Sequence, residues 1–323
     1  SGDSYVGVKD EEHIWGLWQN FIYNNGISPA IGLGGAAFVQ IFFLTNALKR
    51  YRRILIALPF ILFGSHYFAD YSNAVRQMMA ASIFVWGTQF IINRNLIKYI
   101  LTILLASSFH HSALALCIVY FLPTSIDTSK YRWLWIGILT CCLIIGRTPA
   151  FQNLADTINF LTAITGYDRY EGKVTDMLSG GYDDEKLGFG PTMLSFYLIG
   201  IFIMWYGPKL KEIFGKSIPQ FNLWCFFSNA YICIYFLICN ISHLFIRPLM
   251  YFEVFQMIMG SMLLSYFISR KHKYTLYATA YYIIISVCCI WDTWKAQDIS
   301  FEASTYKTIL TYPYKQEINH FRK

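Results

Sequence analysis

Apolar runs separated by short basic connections recur along the whole chain. A hydrocarbon core of about 30 Å takes about 20 helical residues to cross. Runs of that order fall at 28–47, 54–70, 75–92, 132–147, 190–206, 221–239, 244–268 and 274–291. One more, 96–122, is interrupted at its middle by Ser107, Ser108, His110, His111 and Ser112. The connections carry Lys49-Arg50-Tyr51-Arg52-Arg53, Arg94 with Lys98, Lys130 with Arg132, Lys209 with Lys211 and Lys216, and Arg270-Lys271-His272-Lys273. Basic connections collect on the cytoplasmic side of a membrane. All of these clusters reach that side only if 96–122 enters and comes back. The spacing therefore predicts two short helices, 96–109 and 111–122, meeting at the histidine pair. About 14 helical residues rise about 21 Å, which lifts His110 close to the outer surface.

The pattern predicts an all-α fold, a polytopic transmembrane helix bundle with two short broken helices. It is read as a single membrane domain over 1–323 with a large extracytoplasmic loop, 148–189. Segment 1–27, the stretch Asp70 to Asn73, the Asn240-Ile241-Ser242-His243 turn and the tail from 292 are expected on the same outer side. The chain starts at Ser1 without a methionine, and a membrane segment upstream of it is expected.

Composition agrees: 55% hydrophobic, 19% aromatic and 14% charged residues, with a mean hydropathy of +0.39, exclude an ordinary soluble domain. The net charge of +7 adds nothing beyond the clusters already placed, and no nucleic-acid partner is expected. The eight cysteines lie in or at the ends of the apolar runs without metal-ligand spacing, and read as core or lipid-facing residues. No cofactor and no metal site is expected.

Candidate chemistry gathers on the predicted outer face. Arg76, in Asn73-Ala74-Val75-Arg76-Gln77, opens an apolar helix, and Arg247, in His243-Leu244-Phe245-Ile246-Arg247-Pro248, holds the same place in another. Helix N-termini present free amides and partial positive charge, and a guanidinium adds a fork that fits phosphate oxygens. The alternative is local pairing, Asp70 with Arg76 and Glu253 with Arg247. The break at His110-His111-Ser112 fits a helix that lines a cavity or is buried in protein. A histidine there either bonds a sugar hydroxyl or shuttles a proton, or else closes backbone hydrogen bonds at the break.

Loop 148–189 carries Tyr167-Asp168-Arg169-Tyr170-Glu171 and Gly180-Gly181-Tyr182-Asp183-Asp184-Glu185-Lys186. It reads as a saccharide-facing lid or as a solvated loop with a divalent ion at its acidic triplet. Near the start, Asp3 is either a general base for an acceptor hydroxyl or the neutralising partner of an arginine.

These elements resemble the EpsG family of exopolysaccharide polymerases, which are Wzy-like. The resemblance rests on Gly2-Asp3 with Tyr5, on Asn73-x-x-Arg76-Gln77 with Ala80-Ala81, and on Ala106-Ser-Ser-Phe-His110-His111-Ser112-Ala113-Leu114. Tyr167 to Tyr170 and Arg247-Pro-Leu-Met-Tyr251-Phe252 extend it through most of the chain. It implies a GT-C-like fold in the bacterial cytoplasmic membrane, with the active site facing outward. It also implies a glycosyltransferase that joins undecaprenyl-diphosphate-linked oligosaccharide repeat units into exopolysaccharide, capsule or O-antigen. The implied roles are Asp3 and His110 in catalysis, and Arg76, Gln77, Asn73 and Arg247 on the lipid diphosphate. Arg169, Tyr170, His111 and Tyr251 are implied on the glycan. The lipid bilayer and a chain-length regulator are the implied partners. No nucleotide-sugar motif or phosphate-binding glycine loop is present in the sequence, which fits a lipid-linked donor.

Two other classes stand beside this reading. A flippase or transporter for the same lipid-linked units needs charge near mid-membrane, where Glu253 is the one evident carboxylate. A membrane O-acyltransferase would use His110, but would take its acyl donor from the cytoplasmic side.

Overall fold

The computed structural model describes residues 13–64, 67, 74–148, 190–239, 246–269 and 271–298. Asp3, Asn73, Arg169, Tyr170, Asp70 and the acidic triplet of the long loop lie outside them. The described residues form helices and connections, with no strand among them. In chain order the helices are α1 (His13–Asn24), α2 (Pro29–Leu48), α3 (Arg52–Gly64), α4 (Val75–Ile92) and α5 (Leu96–Ser107). A 3₁₀ arm (His111–Phe121) follows, then α6 (Arg132–Ile145), α7 (Pro191–Phe214), α8 (Phe221–Ile238), α9 (Met250–Ser269) and α10 (Lys271–Asp298). The apolar runs and these helices overlap, with α4 matching at both ends. However, α7 continues past 206 through Lys209 and Lys211 to Phe214 and α10 extends from Lys271 to Asp298, so parts of two basic connections are helical.

Among the described residues, four helices are long and apolar enough to cross a membrane: Ala30–Leu48, Met193–Phe214, Phe221–Ile238 and Arg247–Ser269. Within lipid, helices associate through packing and interhelical hydrogen bonds rather than through loss of water. The last of the four is the central post. It packs against α3, α4, α7, α8 and α10 and is buried along nearly its whole length. Phe84 of α4, Phe227 of α8 and Phe255 of α9 interlock at centroid distances of 4.9–5.9 Å. Beside them the Trp224 indole donates to Thr88 Oγ1 at 3.0 Å, so the one polar atom of that ring is satisfied.

The broken run 96–122 does turn back on itself. Asn95 caps α5 by accepting from the Lys98 N–H at 3.1 Å. The helix climbs to Ser107, and His110 adopts extended backbone (φ −150°, ψ 111°) that ends it. The return arm lies against α5, where the Tyr99 hydroxyl donates to the Leu116 carbonyl at 2.6 Å. At the base, Arg94 donates to the Tyr120 carbonyl at 3.2 Å, so the arm finishes level with the start of α5.

One detail departs from expectation: the arm is a 3₁₀ helix rather than an α-helix. At about 2.0 Å per residue its 11 residues span about 22 Å, against about 18 Å for the 12 residues of α5. The tighter winding gives a short segment the reach to regain the base.

Below the arm, Lys211 bridges Asp127 (3.0 Å) and Asn222 (2.5 Å), and Ser129 donates to Asp127 at 2.6 Å. The loop after the hairpin is thereby fastened to α7 and α8. Burial pushes the Asp127 carboxyl up, but the Ser129 hydroxyl and the Lys211 ammonium outweigh it and hold the group below the usual carboxylate range. A lowered folded-state pKa means that the stabilisation is present above the unfolded value of about 3.9 and is lost as pH falls through the folded one. Asp127→Asn is therefore expected to cost about 1 kcal/mol at every pH between about 5 and 8. The gap to wild type should narrow progressively as pH falls below about 4 in detergent thermal melts.

Candidate functional site

Of the residues singled out at the predicted outer face, the described ones meet at one end of the bundle. Arg76 lies in the first turn of α4 and is exposed, while Gln77 beside it is buried. The Gln77 side chain donates through Nε2 to the backbone carbonyl of Arg247, 170 residues away. Arg247 begins a short 3₁₀ turn (Arg247–Leu249) that leads into α9, with Pro248 at its second position. Pro suits a helix start, where its missing N–H would be unpaired in any case. The starts of α4 and α9 are thus bonded to each other, and each carries one exposed arginine. A second tie comes from α2, where Gln40 Nε2 donates to the Val75 carbonyl at 3.2 Å.

The hairpin apex joins the same end. The Ser112 and Tyr251 hydroxyls share a hydrogen bond of 2.9 Å, and the His110 ring lies stacked toward Tyr251 at 6.4 Å between centroids. His110 is half-buried, and His111, first in the 3₁₀ arm, is exposed. Tyr251 therefore stands between the histidine break and the start of α9. It belongs to the first turn of that helix, along with the buried Glu253.

The two pairing alternatives fare differently. Arg247 forms no ion pair with Glu253: its side chain is exposed, the carboxylate is 2% exposed, and no carboxylate among the described residues pairs with the guanidinium. The Asp70–Arg76 alternative involves a residue outside the described ones. Glu253 also sits in the first turn of α9, near the arginine end rather than at mid-membrane.

Two residues of this end escaped the sequence reading. Ser112 was visible only as part of the break, and its bond to Tyr251 crosses 139 positions. Arg147 closes the apolar run of α6, and both its terminal nitrogens are buried. Gly146, just before it, brings that end of α6 against the Phe236 and Leu237 carbonyls at the end of α8. The available signal was an arginine ending an apolar run, as in the connections, but on the opposite side.

Chemically, this end offers guanidinium forks, two adjoining helix starts, two linked hydroxyls and an imidazole. That set suits an anion with a sugar attached. Among the described residues no group of histidine, cysteine or acidic side chains has the arrangement of a metal site.

Comparison with known proteins gives one family match: the EpsG family model aligns with residues 3–314. No curated protein and no solved structure matches the chain.

Proposed function

We propose that this chain, which belongs to the EpsG family, is a membrane glycosyltransferase that polymerises lipid-linked oligosaccharide repeats. The donor is a glycan on undecaprenyl diphosphate, and the reaction takes place at the outer leaflet of the bacterial cytoplasmic membrane. The hydroxyl of the non-reducing sugar of an incoming repeat attacks the anomeric carbon of the growing glycan. The bond from that carbon to the diphosphate oxygen breaks, the lipid diphosphate leaves with the electron pair, and the hydroxyl proton passes to a base.

The observation that carries this reading is the bond from Gln77 to the Arg247 carbonyl. It supports a pair of arginine-bearing helix starts acting as one anion cradle. Charge that develops on the leaving diphosphate is stabilised there by preorganised donors, which need no rearrangement at the moment of reaction. Asn73 completes the diphosphate contacts. His110, oriented by Tyr251, and Asp3 are the two candidates for the base; His111, Tyr251, Arg169 and Tyr170 contact the glycan.

The transport alternative asks for charge at mid-membrane. Its one candidate, Glu253, lies in the first turn of α9, which favours the polymerase. The test is reconstitution of the purified protein with undecaprenyl-diphosphate-linked repeats. A ladder spaced by one repeat, with lipid diphosphate released, is expected on a gel; units that bind but stay single would end the reading.

Two variants divide the roles at the apex. His110→Ala is expected to slow elongation by about 10²–10⁴ if the imidazole moves the proton. Tyr251→Phe removes only one hydroxyl and is expected to cost about 10-fold, the value of one hydrogen bond. Both are read from initial rates of lipid diphosphate release.

A further inference from the structure

The basic end of the bundle, opposite the arginine cradle, carries a second cationic arrangement that the polymerase chemistry does not use. Arg132, in the first turn of α6, lays its guanidinium over the Trp205 ring at 4.8 Å and over Trp133 at 5.8 Å. The two indoles meet edge to face at 4.9 Å, joining α6 to α7. Lys209 follows Trp205 by one turn on the same face of α7, with its ammonium 5.4 Å from the Tyr206 ring.

Neither cation has a carboxylate partner among the described residues, and neither makes a side-chain hydrogen bond there. Glu212, one turn beyond Lys209, pairs with neither. Asp127, the other described acid at this end, is taken up by Lys211 and Lys130. Arg132 is thus held in place by aromatic faces while its N–H donors point to no protein acceptor.

The surroundings are apolar and open. Trp133 is 64% exposed and Trp205 40%. Further along α6 from Trp133, Gly137 leaves open space where a side chain would be, since a Cβ there would meet nothing within 4 Å. Cys141 and Ile144 continue the same exposed strip. An exposed apolar strip of α6 therefore runs from Arg132 and its indole rings, with Lys209 at the Tyr206 ring nearby in sequence on α7, toward the other end of the bundle.

From this geometry we infer that the seam between α6 and α7 binds an anionic glycerophospholipid. Its phosphate is clamped by Arg132 and Lys209, and an acyl chain lies along the exposed strip at Gly137. The occupant follows from charge complementarity combined with position: the cations sit where apolar helix faces give way to polar connections, as headgroup phosphates do. Aromatic stacking pre-orders the guanidinium, so little conformational freedom is lost when phosphate arrives. This site is independent of the polymerase reading.

The test is thermal unfolding of the full chain in neutral detergent during titration with phosphatidylglycerol, phosphatidylcholine or glycerol phosphate. Phosphatidylglycerol alone is expected to raise Tm. The Arg132→Gln/Lys209→Gln double variant should need about 30-fold more of it for the same shift. Arg76→Ala, at the opposite end, should respond as wild type does. Equal responses to phosphatidylcholine, a full shift with glycerol phosphate, or a double variant with wild-type sensitivity would each overturn the site. Should the double variant not fold, Gly137→Leu keeps both cations but places a side chain where the acyl chain would lie; it is expected to weaken the response, and an unchanged response overturns the inference.

Discussion

Replacing Arg76 and Arg247 together with alanine is expected to reduce polymer elongation by about 10³-fold or more, with the bundle intact. The activity side follows from the cradle. In the proposed mechanism each guanidinium meets the charge that develops on the diphosphate, and removing one such donor typically costs about 10²–10³ in rate. The stability side follows from exposure: both side chains face outward, and exposed substitutions usually change stability by less than about 0.5 kcal/mol. Lysine at either position keeps the charge but not the fork, so each single lysine variant should fall between wild type and alanine. Gln77→Ala makes the informative contrast, because Gln77 is buried and its amide holds the two helix starts together. Its loss should lower melting temperature and elongation together, whereas the double arginine variant should lower elongation only. Wild-type-length polymer from the double arginine variant would remove the cradle from the mechanism.

The contrast between these residues also marks what the chain discloses before folding. The span 75–92 is legible because a run of apolar residues between Arg76 and Arg94 has one economical solution in lipid, and α4 is Val75–Ile92. The hairpin is legible for a different reason, since a single crossing at 96–122 would strand basic clusters on the wrong side. Its 3₁₀ arm is not legible, because an uninterrupted apolar stretch such as Ala113 to Phe121 has no periodicity to separate one helix type from another. The motif Asn73-x-x-Arg76-Gln77 suggests that Arg76 and Gln77 face one ligand. In the fold Gln77 turns inward and spends its N–H on the Arg247 carbonyl. Pairings across 170 or 139 positions are products of tertiary packing, and no local pattern encodes them.

Gly146→Ala is expected to be the most damaging single methyl addition at the arginine end. Its backbone is ordinary right-handed helix (φ −61°), so conformational freedom is not what requires glycine there. Space is. A Cβ would stand 2.5 Å from the Phe236 carbonyl oxygen and closer still to that of Leu237. Both obstacles are backbone atoms at the end of α8, and neither can rotate aside as a side chain can. The ends of α6 and α8 would have to separate, carrying Arg147 away from the site and loosening helix packing that depends on close backbone approach. A cost of about 3 kcal/mol is expected, at the upper end for overpacking, and it should appear as a lower melting temperature in detergent. Gly137→Ala supplies the control within the same helix. Its Cβ would enter open space, so the gain in helix propensity should leave stability unchanged or raised by up to about 1 kcal/mol. If both variants melted together, the close approach of α6 to α8 would not be what requires glycine at position 146.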